Sequence, residues 1–207
     1  MRTNQDYKNR ALQCLEGNWG KAVVALLIGY AVLLLPPYCF MLCMTDSPVA
    51  GLSNLWSFAM LPLSWGMTVF FLRIARSEET AVGQLFDGFK DYWRIFSTLL
   101  LRGIYVLLWT LLLIVPGIIK NYSYAMTEYV LKDDPSLSAN AAIERSMALM
   151  KGNKMRLFLL HLSFIGWGIL AMMTLGIGLL LLIPYMSTAQ AHFYEDLKAG
   201  KGTEETI

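Results

Sequence analysis

Long apolar stretches dominate the chain. Residues 22–44 and 50–72 carry no charge over 23 positions each, and an α-helix needs roughly 20 apolar residues to cross the hydrocarbon core of a membrane. The pattern therefore predicts membrane-spanning helices. Six spans are predicted in all: 18–44, 51–75, 92–115, 117–131, 155–174 and 177–194.

A short pattern recurs in the second, fourth and sixth of these spans. Residues 64–73 (SWGMTVFFLR) match residues 123–132 (SYAMTEYVLK), and a weaker copy occupies 187–194 (STAQAHFY). The recurring serines are Ser64, Ser123 and Ser187. Small and hydroxyl-bearing residues let membrane helices approach closely, so we interpret these positions as sites of helix packing.

The spacing supports a true internal repeat. A glycine lies 35 residues before the serine in the second unit, at Gly88, and in the third, at Gly152. The corresponding distance from Gly17 in the first unit is 47 residues, because about twelve extra residues lie near 45–56. A fixed period is the sequence signature of repeat architectures.

Each unit is predicted to be a helical hairpin preceded by a short amphipathic helix. These short helices are predicted at 7–16, 81–87 and 138–150, each ended by its glycine, and each either lies in the membrane interface or caps the bundle. The expected fold is an all-α membrane protein with one six-helix domain, 1–198, and a polar tail, 199–207. The repeat units are about 7–76, 81–132 and 138–197.

The basic residues predict the orientation. Fifteen of the seventeen lysines and arginines lie on one side of the predicted bundle: before or at the start of the first span, between or at the adjoining ends of the second and third and of the fourth and fifth spans, or after the sixth span. The positive-inside rule assigns that side to the cytoplasm. We therefore expect a multi-pass protein of a bacterial inner membrane with both termini cytoplasmic. The opposite side has only short connections: 45–50, Pro116-Gly117 and Leu175-Gly176.

Several strings resemble a known family. PGIIKNYSYAM at 116–126, SFIGWGIL at 163–170, TLGIG at 174–178 and FYEDL at 193–197 are similar to a bacterial membrane family catalogued as domain of unknown function 975. The family is also distantly similar to the membrane part of some glycerophosphodiester phosphodiesterases, a part without catalytic residues. The resemblance implies the membrane architecture and little about mechanism.

Arg102 is the most conspicuous charge inside a predicted span, where an unpaired charge costs several kcal/mol. If the third and fourth spans fold back at Pro116-Gly117, Glu128 is its natural partner. The pair then either locks one hairpin or lines a polar pocket for an anionic headgroup or a coupled ion. Simple snorkelling of Arg102 is the third alternative.

His161 and His192 are the only histidines and are expected at comparable depth on neighbouring spans. Catalytic zinc usually has three protein ligands, so two histidines without a carboxylate pair make a poor metal site. Packing and hydrogen bonding between helices are expected, with a proton relay as the alternative. No metal and no cofactor is predicted.

Recognised catalytic motifs are missing from the sequence: it contains no HExxH, GxSxG or GxxxxGK[ST] string. The net charge of +2 gives no reason to expect nucleic acid. We therefore expect no enzyme but a scaffold or accessory protein that binds membrane lipid, another membrane protein or a second copy of itself. A small transporter or channel for an anionic or lipid-like solute is the alternative.

Overall fold

The computed structural model describes residues 2–43 and 52–204, which form α-helices and one 3-10 helix, with no strand. Most of these helices belong to the six predicted spans or to the three predicted short helices. In chain order the elements are α1 (Asn4–Leu15), α2 (Trp19–Cys43), α3 (Leu52–Ala59), α4 (Leu61–Ala75), the 3-10 helix Val82–Phe89, α5 (Tyr92–Leu112), α6 (Ile114–Ser123), α7 (Thr127–Asp133), α8 (Ala139–Met150), α9 (Lys154–Leu162), α10 (Ile165–Met173) and α11 (Leu179–Glu204).

Three segments are long and apolar enough to cross a membrane: Trp19–Cys39, Tyr92–Leu112 and Lys154–Met173. They correspond to the first, third and fifth predicted spans, which supports the prediction of a membrane protein. The predicted spans 51–75, 117–131 and 155–174 are each interrupted rather than continuous. The arrangement into six crossings and three repeated hairpins stays a prediction.

One of the predicted hairpin turns is present in the structure, and another lies at a different position. The turn between α10 and α11 contains Leu175 and Gly176, both at positive φ (54° and 83°), as predicted. The turn between α5 and α6 lies at Leu113, whose backbone is extended, and the predicted turn at Pro116-Gly117 is wrong. Pro116 lies in the first turn of α6, where its missing N–H leaves no intrahelical bond unmade. The predicted connection 45–50 lies outside the described residues.

The predicted short helices are present as α1, the 3-10 helix and α8. Gly17 and Gly152 follow α1 and α8 at φ +81° and +79°, the left-handed conformation that ends helices at glycine. Gly88 does not end its helix, because it lies inside the 3-10 helix. At its N-terminus α1 has a capping box, in which Thr3 and Asp6 exchange hydrogen bonds.

Each short helix packs against one of the three interruptions. The clearest case is α8 at the break between α6 and α7. The buried Ser146 hydroxyl donates to the carbonyl of Ser123 (3.0 Å) and accepts from the backbone N–H of Met126 (3.1 Å). Helix ends leave backbone groups without intrahelical partners, and α8 supplies partners for two of them.

The other two breaks are covered in a similar way. Lys8 of α1 is buried and donates through Nζ to the carbonyl of Ser163 (2.8 Å), at the break between α9 and α10. Its ammonium lies 4.5 Å from the centre of the Phe164 ring, and burial lowers the pKa of Lys8. The 3-10 helix packs beside the break between α3 and α4, where Gly88 lies against the carbonyl of Pro62.

The bundle is buried around α4 and exposed towards the hairpin turns. Helix α4 is the most deeply buried, and residues of α1, α7 and α11 pack around it in two apolar clusters. Towards the hairpin turns the apolar side chains become exposed, as at Leu111 (82%), Ile114 (70%), Met173 (76%) and Leu175 (95%). Exposed apolar surface of this extent is expected where a protein faces lipid.

Close backbone contact between α4 and the 3-10 helix gives a direct test of the packing. A Cβ at Gly66 would overlap the carbonyl oxygen of Leu85, whereas a Cβ at Gly103 in α5 would meet nothing within 4 Å. Overpacking a core costs about 1–3 kcal/mol, and alanine stabilises an open helical position by about 0.5–1 kcal/mol. We expect Gly66→Ala to lower the melting temperature in detergent and Gly103→Ala to maintain or raise it. Equal melting temperatures for the two variants would contradict the contact.

Candidate functional site

Arg102 and Glu128 form an ion pair inside the bundle. Arg102 lies on α5, about 15 Å along the helix from Tyr92 at 1.5 Å per residue, and Glu128 is the second residue of α7. Nη1 of Arg102 lies 2.8 Å from Oε1 of Glu128, and their side chains are 20% and 17% exposed. The two residues that the sequence proposed as partners therefore meet, although the turn after α5 is at Leu113.

Further contacts hold Glu128 in place from a third helix. The hydroxyl of Thr68 on α4 donates to Oε2 of Glu128, and the indole N–H of Trp65 donates to the Glu128 carbonyl (3.0 Å). Both carboxylate oxygens thus accept a hydrogen bond, one from a cation and one from a neutral hydroxyl. Helices α4, α5 and α7 are joined at this single side chain.

The ion pair lines a central cavity of about 490 Å³. Its lining combines apolar side chains of α2, α4 and α11, such as Leu26, Phe71 and Ile183, with hydrogen-bonding groups from α4, α5, α6, α7, α9 and α11. The polar and charged lining residues include Ser64, Thr68, Arg102, Asn121, Tyr122, Glu128, His161, Ser187 and Gln190. Small-molecule sites in proteins usually have volumes of about 300–1,000 Å³.

A second cavity, of about 270 Å³, lies on the side of α5 and α6. It is lined by Leu99, Gly103 and Val106 of α5 and shares Ser64, Arg102, Asn121 and Glu128 with the central cavity. The ion pair therefore borders both cavities.

His161 belongs to a chain of polar contacts in the central cavity. Its Nδ1 lies 3.5 Å from the hydroxyl of Tyr122, and its Nε2 lies 3.3 Å from Oε1 of Gln190. An amide oxygen only accepts hydrogen bonds, so these two contacts are both satisfied in the tautomer that carries its proton on Nε2 and accepts from Tyr122 at Nδ1. The arrangement fits a neutral imidazole, with the amide nitrogen of Gln190 left as a donor.

His192 lies elsewhere. It lines a third cavity of about 420 Å³, with Arg10, Cys14, Arg76 and Glu195 among its neighbours. Its Nε2 is buried and has no hydrogen-bond partner in the part of the chain that the structure describes. The structure does not bring His161 and His192 into one site.

The three repeated serines occupy different environments. Ser64 and Ser187 line the central cavity, and the Ser64 hydroxyl donates to the carbonyl of Leu61 (2.7 Å). Ser123 is 1% exposed and donates to the carbonyl of Ile119 (2.9 Å). Two positions are thus part of the site, and the third is buried in the packing at the α6–α7 break.

Comparison with known families covers the second half of the chain. The family model described as "Protein of unknown function (DUF975)" matches residues 111–201. Over these residues the chain is similar to the DUF975 family. No curated protein and no solved structure matches the chain, and the distant similarity to the membrane part of glycerophosphodiester phosphodiesterases stays a prediction.

The DUF975 match contains one side of the candidate site. Glu128, His161 and Gln190 lie within the matched residues, whereas Arg102 and Thr68 precede them. The ion pair therefore joins the matched half of the chain to the half that precedes it. The described residues contain no group of three or more histidine, cysteine, aspartate or glutamate side chains that could hold a metal ion.

A second set of ion pairs, which the sequence analysis missed, also joins the DUF975 segment to the first half. Nη2 of Arg76, just after α4, lies 2.8 Å from the Asp133 carboxylate and 2.6 Å from Oε1 of Glu195. Burial alone would raise the pKa of Asp133, but hydrogen bonds from Lys198, Arg76 and Tyr194 outweigh it and lower that pKa below its ordinary value of 3.8. The sequence feature that could have predicted these ion pairs is a charged residue shortly after each copy of the repeated pattern, at Arg76, Asp133 and Glu195.

Thr68, Asn121, Tyr122 and Gln190 are the site residues that sequence reasoning did not select. Thr68 and Gln190 lie inside the repeated pattern, four and three residues after its first serine. One helical turn separates each from the serine that shares the cavity wall. This spacing from the repeated serines is the sequence feature that could have indicated Thr68 and Gln190 as site residues.

Proposed function

We propose that this chain is a non-catalytic integral membrane protein that binds a lipid or lipid-like molecule in its central cavity. The observation that carries the proposal is the mixed lining of the 490 Å³ cavity, with polar groups around Arg102 and Glu128 and apolar groups such as Leu26 and Phe71. An amphipathic molecule matches both kinds of wall. Exposed apolar helices towards the hairpin turns would place such a cavity beside the bilayer.

The proposed setting is a bacterial inner membrane, crossed six times with both termini in the cytoplasm. Support comes from the one-sided distribution of basic residues and from the three long apolar helical segments. The exposed turn at Leu175 would then lie on the outer side.

A single cysteine tests this orientation. In a background without native cysteines, Leu175→Cys should react with a membrane-impermeant thiol reagent in intact spheroplasts, because six crossings place it outside. Ser136→Cys, in the loop before α8, should react only after permeabilisation. Protection of Leu175→Cys from outside, together with labelling after permeabilisation, would contradict six crossings.

The ion pair is proposed to be part of the binding site rather than a lock for one hairpin. Both charges remain partly exposed, and they border a cavity on each side. A pair that served only packing would be enclosed by apolar side chains. Here its neighbours include Ser64 and Asn121, which line both cavities.

Transport of a small solute is the second candidate function. The specific observation that favours it is the meeting of two cavities at Arg102 and Glu128, since rearrangement of one ion pair could connect them. Intramembrane ionisable residues often mark substrate pathways. This candidate differs from the first in the kind of molecule that the cavity retains.

Retention of a ligand tests the binding function. Protein extracted in mild detergent and examined by native mass spectrometry should carry one lipid-sized adduct. Ser187→Trp should lose the adduct, because the indole occupies cavity volume, whereas Ser136→Trp in an exposed loop should keep it. Both variants should be checked for a cooperative thermal transition.

Other outcomes of the same experiment would favour transport or contradict binding in the central cavity. Retention of a small water-soluble adduct that Ser187→Trp abolishes would favour transport over lipid binding. Lack of any adduct on the wild-type protein, or equal retention by folded Ser187→Trp and Ser136→Trp, would contradict binding in the central cavity.

A further inference from the structure

The central cavity carries no net charge. Among its described lining residues there is one guanidinium, that of Arg102, and one carboxylate, that of Glu128, and the two lie 2.8 Å apart. The second carboxylate oxygen of Glu128 accepts from Thr68. An incoming ion would meet a charge that is already compensated by an opposite one.

The rest of the polar lining consists of uncharged donors and acceptors. These groups include the hydroxyls of Ser64, Tyr122 and Ser187, the amides of Asn121 and Gln190, and the imidazole of His161. The contacts of His161 with Tyr122 and Gln190 fit its neutral form and leave the Gln190 amide nitrogen free to donate. Such a set is suited to hydroxyl groups, which both donate and accept hydrogen bonds, and to ester oxygens, which only accept them.

We infer that the central cavity selects a lipid with an uncharged, hydroxyl-bearing headgroup over one with a charged headgroup. This inference rests on the proposed lipid-binding function and specifies its ligand class. A phosphate placed beside Arg102 would also lie beside the Glu128 carboxylate, and like charges at close range are unfavourable. A cationic headgroup would meet the corresponding difficulty at Arg102.

Glycerol is an example of an uncharged, hydroxyl-bearing headgroup that fits this lining. Its hydroxyls can accept from Gln190 and Asn121 and from the N–H groups of Arg102 that Glu128 does not occupy, and they can donate to serine hydroxyls. Selective sites reject a ligand chiefly through polar groups that it would leave unpaired or repelled. Desolvating a full charge without a free counter-charge is the larger cost.

Two probes that differ in a single phosphate provide the test. Monooleoylglycerol and oleoyl lysophosphatidate share the chain and the glycerol, and their binding to delipidated full-length protein can be compared by native mass spectrometry at matched free concentrations. We expect the wild-type protein to bind monooleoylglycerol at least about tenfold more tightly. The reason is that an interaction lost at a charged group lowers affinity by about a factor of ten or more.

Variants of the ion pair make the inference specific. Glu128→Gln leaves Arg102 without its counter-charge and should shift the preference towards lysophosphatidate by about tenfold or more. The double variant Arg102→Gln/Glu128→Gln removes both charges and should restore the preference for monooleoylglycerol. Gln190→Met should weaken binding of monooleoylglycerol, whereas Gln13→Met on α1, outside this cavity, should not.

The failures of the two proposals are distinguishable. Equal binding of both probes, tighter binding of lysophosphatidate to the wild type, or an unchanged preference in folded Glu128→Gln would overturn the inference while leaving lipid binding intact. Binding of neither probe, with no adduct retained from the membrane, would overturn both.

Discussion

A cation inside a membrane bundle needs a counter-charge, and the arrangement of the central helices follows from that requirement. Arg102 on α5 meets Glu128 on α7, and Thr68 on α4 supplies the second hydrogen bond to the carboxylate. Removing either charge would leave the other without its counter-charge, which is unfavourable inside a membrane bundle. Three helices from both halves of the chain are therefore held at one carboxylate.

Fixing the ion pair at a helix junction also leaves space around it. Helix α7 begins after a break, and the backbone groups exposed there are bonded by Ser146 of α8. The neighbouring break at Ser163 is bonded by Lys8 of α1. The helices that end at these two breaks, α6 and α9, contribute Tyr122 and His161 to the lining of the cavity.

Much of this could be predicted from sequence, and the rest depended on contacts between distant residues. Apolar length predicted the long helices, and the glycines Gly17 and Gly152 marked helix ends through their conformation. Gly88 carried the same signal but is required for close packing instead. Pairing of Arg102 with Glu128 followed from the cost of burying a charge. A polar pocket at this pair was one of the sequence-based alternatives, but its lining could not be predicted, because Tyr122, His161 and Gln190 meet only once the helices are packed.

The central claim is that the ion pair borders a solvated cavity and not a dry core, and the three repeated serines test it. Single cysteines at Ser64, Ser123 and Ser187, in a background without native cysteines, should be compared for reaction with a small methanethiosulfonate in detergent. Ser64→Cys and Ser187→Cys should react because they line the cavity, and Ser123→Cys, at a position only 1% exposed, should be protected. Protection of all three in folded protein would show a packed centre and contradict the account.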